Sequence, residues 1–142
     1  MAALHPQLEK DCIYIGRLKL CHLLLMNDAN YPWFILVPDR EQTSEIHQLC
    51  REERWQLMEE SNLLTRCLQE LFAPDKLNIA ALGNVVPQLH VHHIVRFIDD
   101  PAWPRPAWGQ VAVRPYHADE SGRIIQRVIS CLGEHLCAEP SA

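Results

Sequence analysis

The run Pro87-Gln88-Leu89-His90-Val91-His92-His93-Ile94-Val95-Arg96-Phe97 constrains the fold of this chain more than any other stretch. Successive side chains of a β-strand point to opposite faces. As a strand, the run puts Gln88, His90, His92, Ile94 and Arg96 on one face and Leu89, Val91, His93, Val95 and Phe97 on the other. The second face is mostly the β-branched and aromatic material that a sheet buries against helices. The first lines up an amide and two imidazoles, with a cation beyond them. Packing gives no reason for this, because a buried polar group must find a partner or cost free energy. The run is a reaction surface carried on a strand, and the rest of the chain must supply its sheet.

Strands are expected at 11–18 and 21–26, with Gly16 near the turn between them. Asn27, Asp28, Asn30 and Pro32 mark a turn, since Asn and Asp bond their own backbone and Pro fixes φ. Residues 33–37, Trp-Phe-Ile-Leu-Val, give the strongest strand signal, stop at Pro38, and form a central hairpin with the strand before. A short helix or turn is expected at 43–49. From Glu52 to Phe72 apolar residues recur at helical spacing, which predicts one long amphipathic helix ending before Pro74. Its apolar stripe is core and needs no other role. A strand at 76–82 and a loop at 83–87 lead into the histidine strand. Residues 1–8 are a short lead or helix start.

The segment 99–109 contains three prolines, which forbid a regular helix or central strand. It also contains Trp103 and Trp108, for which two readings stay open. Either the rings cover the core from a rigid arm, or they line a pocket or subunit interface. A closing helix follows Asp119-Glu120, within a C-terminal helical extension over about 117–137. The order β-β-β-α-β-β-α predicts an α+β fold: an antiparallel sheet with a long helix and a C-terminal helix packed on it.

A length of 142 residues suits one domain over 1–142. The net charge of −5 argues against a nonspecific nucleic-acid partner, which would meet a basic surplus. The start of the chain lacks the basic and apolar runs of a signal peptide. No stretch reaches the length of a membrane span. A cytoplasmic location without a membrane partner is therefore expected. The six cysteines include no Cys-x-x-Cys pair. They are expected to be free thiols, several packing as small hydrophobes, with a zinc site of Cys and His as the alternative.

From Gln88 to Ile94 the chain resembles the signature of the histidine triad (HIT) superfamily of nucleotide hydrolases and transferases, His-φ-His-φ-His-φ-φ with φ apolar. Here Gln88 replaces the first histidine and His93 takes the first φ after the triad. The stretch from Leu82 to Pro87 sits where members commonly carry a Gly-Gln pair and a small polar residue. Asn78 matches a family asparagine if one residue is deleted between them. The match is local, and the order of elements is compatible with it.

The resemblance implies roles. His90 matches the nucleophile that takes a nucleotidyl group as a phosphoramidate, which water or another acceptor then cleaves. An imidazole can do this when one ring nitrogen donates to a fixed acceptor, such as a strand carbonyl, and the other keeps its lone pair. His92 matches the histidine that bonds phosphate and assists proton transfer. Gln88 keeps a donor and an acceptor for orientation but cannot be protonated near neutral pH. Asn84 matches the family glutamine at the phosphate bridge, Gly83 offers backbone N–H groups to an oxyanion, and Asn78 either bonds phosphate or is satisfied by its neighbours. Asp28, or Asn27 beside it, matches the acidic residue on the ribose hydroxyls. Arg96 is assigned to a solvated strand end, and His93 to a satisfied buried or interface position. The family also implies a homodimer that uses no cofactor and no obligatory metal. Two other classes remain: a nucleotide-binding or sensing module with a degenerate triad and no turnover, and a zinc protein using His90, His92 and either His22 or a cysteine.

Overall fold

The apolar runs of the first half become three strands of one antiparallel sheet, and the histidine run is inserted beside the third. The computed structural model describes residues 2–137. Helix α1 (Pro6–Asp11) precedes strands β1 (Cys12–Arg17), β2 (Cys21–Met26) and β3 (Trp33–Pro38), and a 3-10 turn (Ile46–Gln48) leads to helix α2 (Arg51–Phe72). Strands β4 (Lys76–Ala80) and β5 (Val91–Arg96) complete the sheet, and helix α3 (Ala118–Leu132) follows the proline-rich arm. The strand order is β1-β2-β3-β5-β4. β5 therefore pairs on both sides, with Ile35 opposite His92 on β3 and Ala80 opposite His92 on β4. Two ladders fix its register, and a slip of one residue would turn every histidine to the wrong face.

One face of the sheet packs Leu23, Leu25, Phe34, Leu36 and Val95 against Leu57, Leu64 and Leu68 of α2 and Val128 and Leu132 of α3. The other face, with Leu24, Ile35, Val37 and Ile94, is covered by Leu8 of α1 and by Ala102 and Ala107 of the arm. Glu60, buried on α2, accepts the amides of Leu20 and Cys21 at 2.9 and 2.8 Å. It ties the β1–β2 turn to the helix layer. The long helix ends as expected, with Ala73 in the left-handed region (φ 46, ψ 56) and Pro74 next.

Three expectations need correction. The histidine strand starts at Val91 and not at residue 87, because Pro87 has no N–H and that of Leu89 goes to the Thr43 carbonyl, 2.9 Å away. Asp11 closes α1 and does not open β1, since Pro6 stands at the helix start, where its missing N–H costs nothing. Arg96 is not at a solvated end. It is 2% exposed, and its guanidinium bonds Asp100 and the Asn78 side chain.

Candidate functional site

His90 and His92 stand on the same side of the chain with ring centroids 4.8 Å apart. His90 Nδ1 lies 2.7 Å from the Gln88 carbonyl oxygen, which can only accept. Nδ1 therefore carries the proton and Nε2 keeps the lone pair. His92 has the reverse arrangement. Its Nδ1 lies 2.9 Å from the indole nitrogen of Trp33, which can only donate, so its proton sits on Nε2. Burial, followed by the neighbouring His90 and His93, lowers the pKa of His92 to about 3. It is uncharged at neutral pH.

His93 points to the helix side. Its Nδ1 donates to the Val91 carbonyl at 3.0 Å, and its Nε2 accepts from the Ser61 hydroxyl at 2.8 Å. Burial lowers its pKa to about 4, against the pull of the Val91 bond. It is a satisfied core histidine.

His90, His92, Gly83 and Asn84 line one cavity of about 310 Å³ together with Leu8, Met26 and Trp108. Gly83 has φ +83, which lets the loop turn toward that space. Among the described residues, no Lys or Arg lines it. An adjoining cavity of about 400 Å³ is lined by Asn27, Asp28 and Lys10, and shares Asp11, Met26 and Trp108 with the first. Each is of a size that holds a small ligand. Asn27 Oδ1 accepts the Tyr116 amide at 2.9 Å, and Asp28 Oδ1 accepts from the Asn30 amide and side chain. These residues thus also shape the rim.

Two predicted residues direct their side chains elsewhere. The Gln88 amide accepts from the His5 N–H at 2.8 Å and donates to the Ala3 carbonyl at 3.0 Å, on the wall of a separate open groove of about 590 Å³. That groove is larger but lacks both histidines of the site. Asn78 accepts from Arg96 at 2.8 Å and lines none of these spaces. The tryptophans divide between the two readings. Trp103 lies 5.8 Å from the Arg96 guanidinium within the arm, whereas Trp108 meets His92 edge to face at 5.0 Å. Sequence reasoning missed Trp33 as a partner of His92. The strand pattern signalled its face, but only the β3–β5 register brings the two together.

The match to known proteins has the same centre. Residues 7–99 match the HIT domain model. The chain belongs to the HIT family. A histidine triad protein from Bradyrhizobium japonicum is 46% identical, with a TM-score of 0.91 over 92% of this chain and 98% of that one. One from Marinobacter aquaeolei is 44% identical, with a TM-score of 0.92 over 96% and 99%. One from Sinorhizobium meliloti is 42% identical, with a TM-score of 0.89 over 92% and 96%. No curated protein matches the chain. In this HIT protein, no three His, Cys, Asp or Glu side chains among the described residues converge as metal ligands. His22, the further ligand of the zinc reading, instead bonds Tyr14 at 2.9 Å and faces Asp39 at 3.7 Å. No helix among the described residues is long and apolar enough to cross a membrane.

Proposed function

We propose that this HIT protein cleaves nucleotides at the α-phosphate, as a hydrolase or nucleotidyltransferase, through a covalent nucleotidyl group on His90. The bond from His90 Nδ1 to the Gln88 carbonyl carries this reading, because it leaves Nε2 as the nucleophilic nitrogen at the cavity holding His92, Gly83 and Asn84. In the first step Nε2 bonds phosphorus and the leaving group departs with its electron pair. Nδ1 keeps its proton on the carbonyl throughout. Water or another acceptor then attacks phosphorus, the N–P bond breaks, and His90 regains its lone pair. His92, Asn84 and the Gly83 amide hold the phosphoryl oxygens, and Asp28 with Asn27 holds the ribose. Gln88 acts through its carbonyl. The protein works as a cytoplasmic homodimer, which sedimentation would test.

His90→Gly should fold and bind AMP, yet lose turnover and the labelled covalent intermediate. Activity within about tenfold of wild type, a barrier change of only ~1.4 kcal/mol, would exclude the covalent role.

A further inference from the structure

We infer that Trp33 is a positioning residue that fixes His92 as a neutral Nε2–H donor, and that this restricts the site to leaving groups that depart without a proton, such as phosphate or polyphosphate, and not amines. The inference rests on His90 as the nucleophile. An indole N–H donates and never accepts. At 2.9 Å from His92 Nδ1, it requires a lone pair on that nitrogen. Protonating Nδ1 would set two donors against each other in a buried place. Trp33 is 5% exposed and meets His92 edge-on at 5.6 Å. Trp108 closes another side of the ring at 5.0 Å and packs on Trp33 at 5.2 Å. The three rings pack as a near-equilateral triangle, and a flip of the imidazole would break the indole bond to Nδ1.

The ionisable groups around His92 do not offset this. His90 stands 4.8 Å away on its own segment, and His93 projects from the opposite face of β5 to Ser61. β3 presents Trp33 and the arm presents Trp108. On α1, Asp11 lines the same cavity, with Oδ2 accepting from the Gln7 side chain at 2.7 Å. The low pKa of His92 agrees with this surrounding.

The chemical consequence follows from the first step. As His90 Nε2 bonds phosphorus, the bond to the leaving atom breaks and its electron pair leaves with it. A phosphate oxygen carries that pair as a stable anion. An amine nitrogen must take up a proton as it leaves. An imidazolium would supply one, but a neutral imidazole N–H is far too weak an acid. His92 therefore bonds a nonbridging phosphate oxygen and moves no proton. In the second step water attacks phosphorus, the N–P bond breaks, and the proton released goes to solvent.

Histidine-ring nitrogen NMR on the unliganded protein tests the positioning without any turnover. His92 should show the neutral Nε2–H tautomer down to pH 5, and Trp33→Phe should raise its pKa and release the tautomer. A wild-type His92 that titrates near pH 6.5, or that carries its proton on Nδ1, overturns the inference even if Trp33→Phe fails to fold. The leaving-group rule is tested with diadenosine tetraphosphate against an AMP alkylphosphoramidate. The amine substrate should be slower in kcat/KM by about 10²–10⁴-fold, the span that general acid catalysis supplies. Equal rates overturn the rule. If neither compound turns over while the NMR result holds, the proposed reaction and its leaving-group rule fail and the Trp33–His92 positioning stands.

Discussion

Arg96 and Asp100 meet in a two-point ion pair, Nε to Oδ2 at 2.7 Å and Nη2 to Oδ1 at 3.0 Å, with side chains 2% and 4% exposed. The same carboxylate accepts the amides of Phe97, Ala102 and Trp103. Burial works against its charge, but the bonds from Arg96 and from the Ala102 and Phe97 amides keep its pKa below the ordinary carboxylate range. Arg96 also lies 5.5 Å over the Tyr31 ring. One carboxylate thus gathers the start of the arm against the end of β5, and the arm then carries Trp108 back onto His92.

Removing one partner of such a pair leaves the other buried and uncompensated. Asp100→Asn should cost about 3–5 kcal/mol in urea unfolding at neutral pH. Trp108 should also become more accessible to quenchers. A loss below about 1 kcal/mol would mean that the arm is held by its apolar contacts alone.

The two arm tryptophans should answer differently to ligand. Trp108 lines both cavities, while Trp103 lies against Arg96. Saturating AMP should change the indole fluorescence of wild type and of Trp103→Phe, and Trp108→Phe should abolish most of the change. A response that survives in Trp108→Phe would place the ligand elsewhere.

The sequence made most of the sheet legible, and physics explains where it stopped. The 33–37 run is continuously apolar, and the 21–26 run is so apart from His22, because β2 and β3 are covered on both faces. The period of two identified His90 and His92 as neighbours and sent His93 the other way. It failed at Arg96, because a cation ending a strand looks solvated until the residue four positions on is known to fold back beneath it. It failed to show what Gln88 touches, because the Ala3 and His5 backbone comes from the far end of the chain. Contacts of that separation leave no periodic trace.

Gln88 now has a specific test. Its side chain holds the lead segment, and its carbonyl holds His90. Gln88→Ala removes the first and keeps the second. Turnover should stay within about tenfold, while amide exchange at His5 should quicken by about tenfold, the equivalent of one lost hydrogen bond near 1.4 kcal/mol. Gln88→His should add an ionisable group, seen as an extra inflection between about pH 5 and 8. A loss above 100-fold in Gln88→Ala would show that the amide itself reaches the substrate.

Acid should destabilise this protein before its carboxylates titrate. Burial lowers the pKa of His92 to about 3 and of His93 to about 4, against an ordinary value of 6.5. Burial also lowers that of His22, which Asp39 partly offsets. Above pH 6.5 both folded and unfolded chains hold these rings neutral, and the full stability is present. As pH falls below 6.5 the unfolded chain takes up protons that the folded one refuses. Stability is then lost until the folded values, near 4 and 3, are passed. Each histidine contributes a slope of up to about 1.4 kcal/mol per pH unit in that window. Urea unfolding at pH 7.5, 6 and 5 should show a growing proton uptake on unfolding. Ser61→Ala should shrink it, because His93 Nε2 would lose the hydroxyl that donates to its neutral form. Stability unchanged from pH 7.5 to 5 would mean that these histidines are as easily protonated inside the fold as outside it.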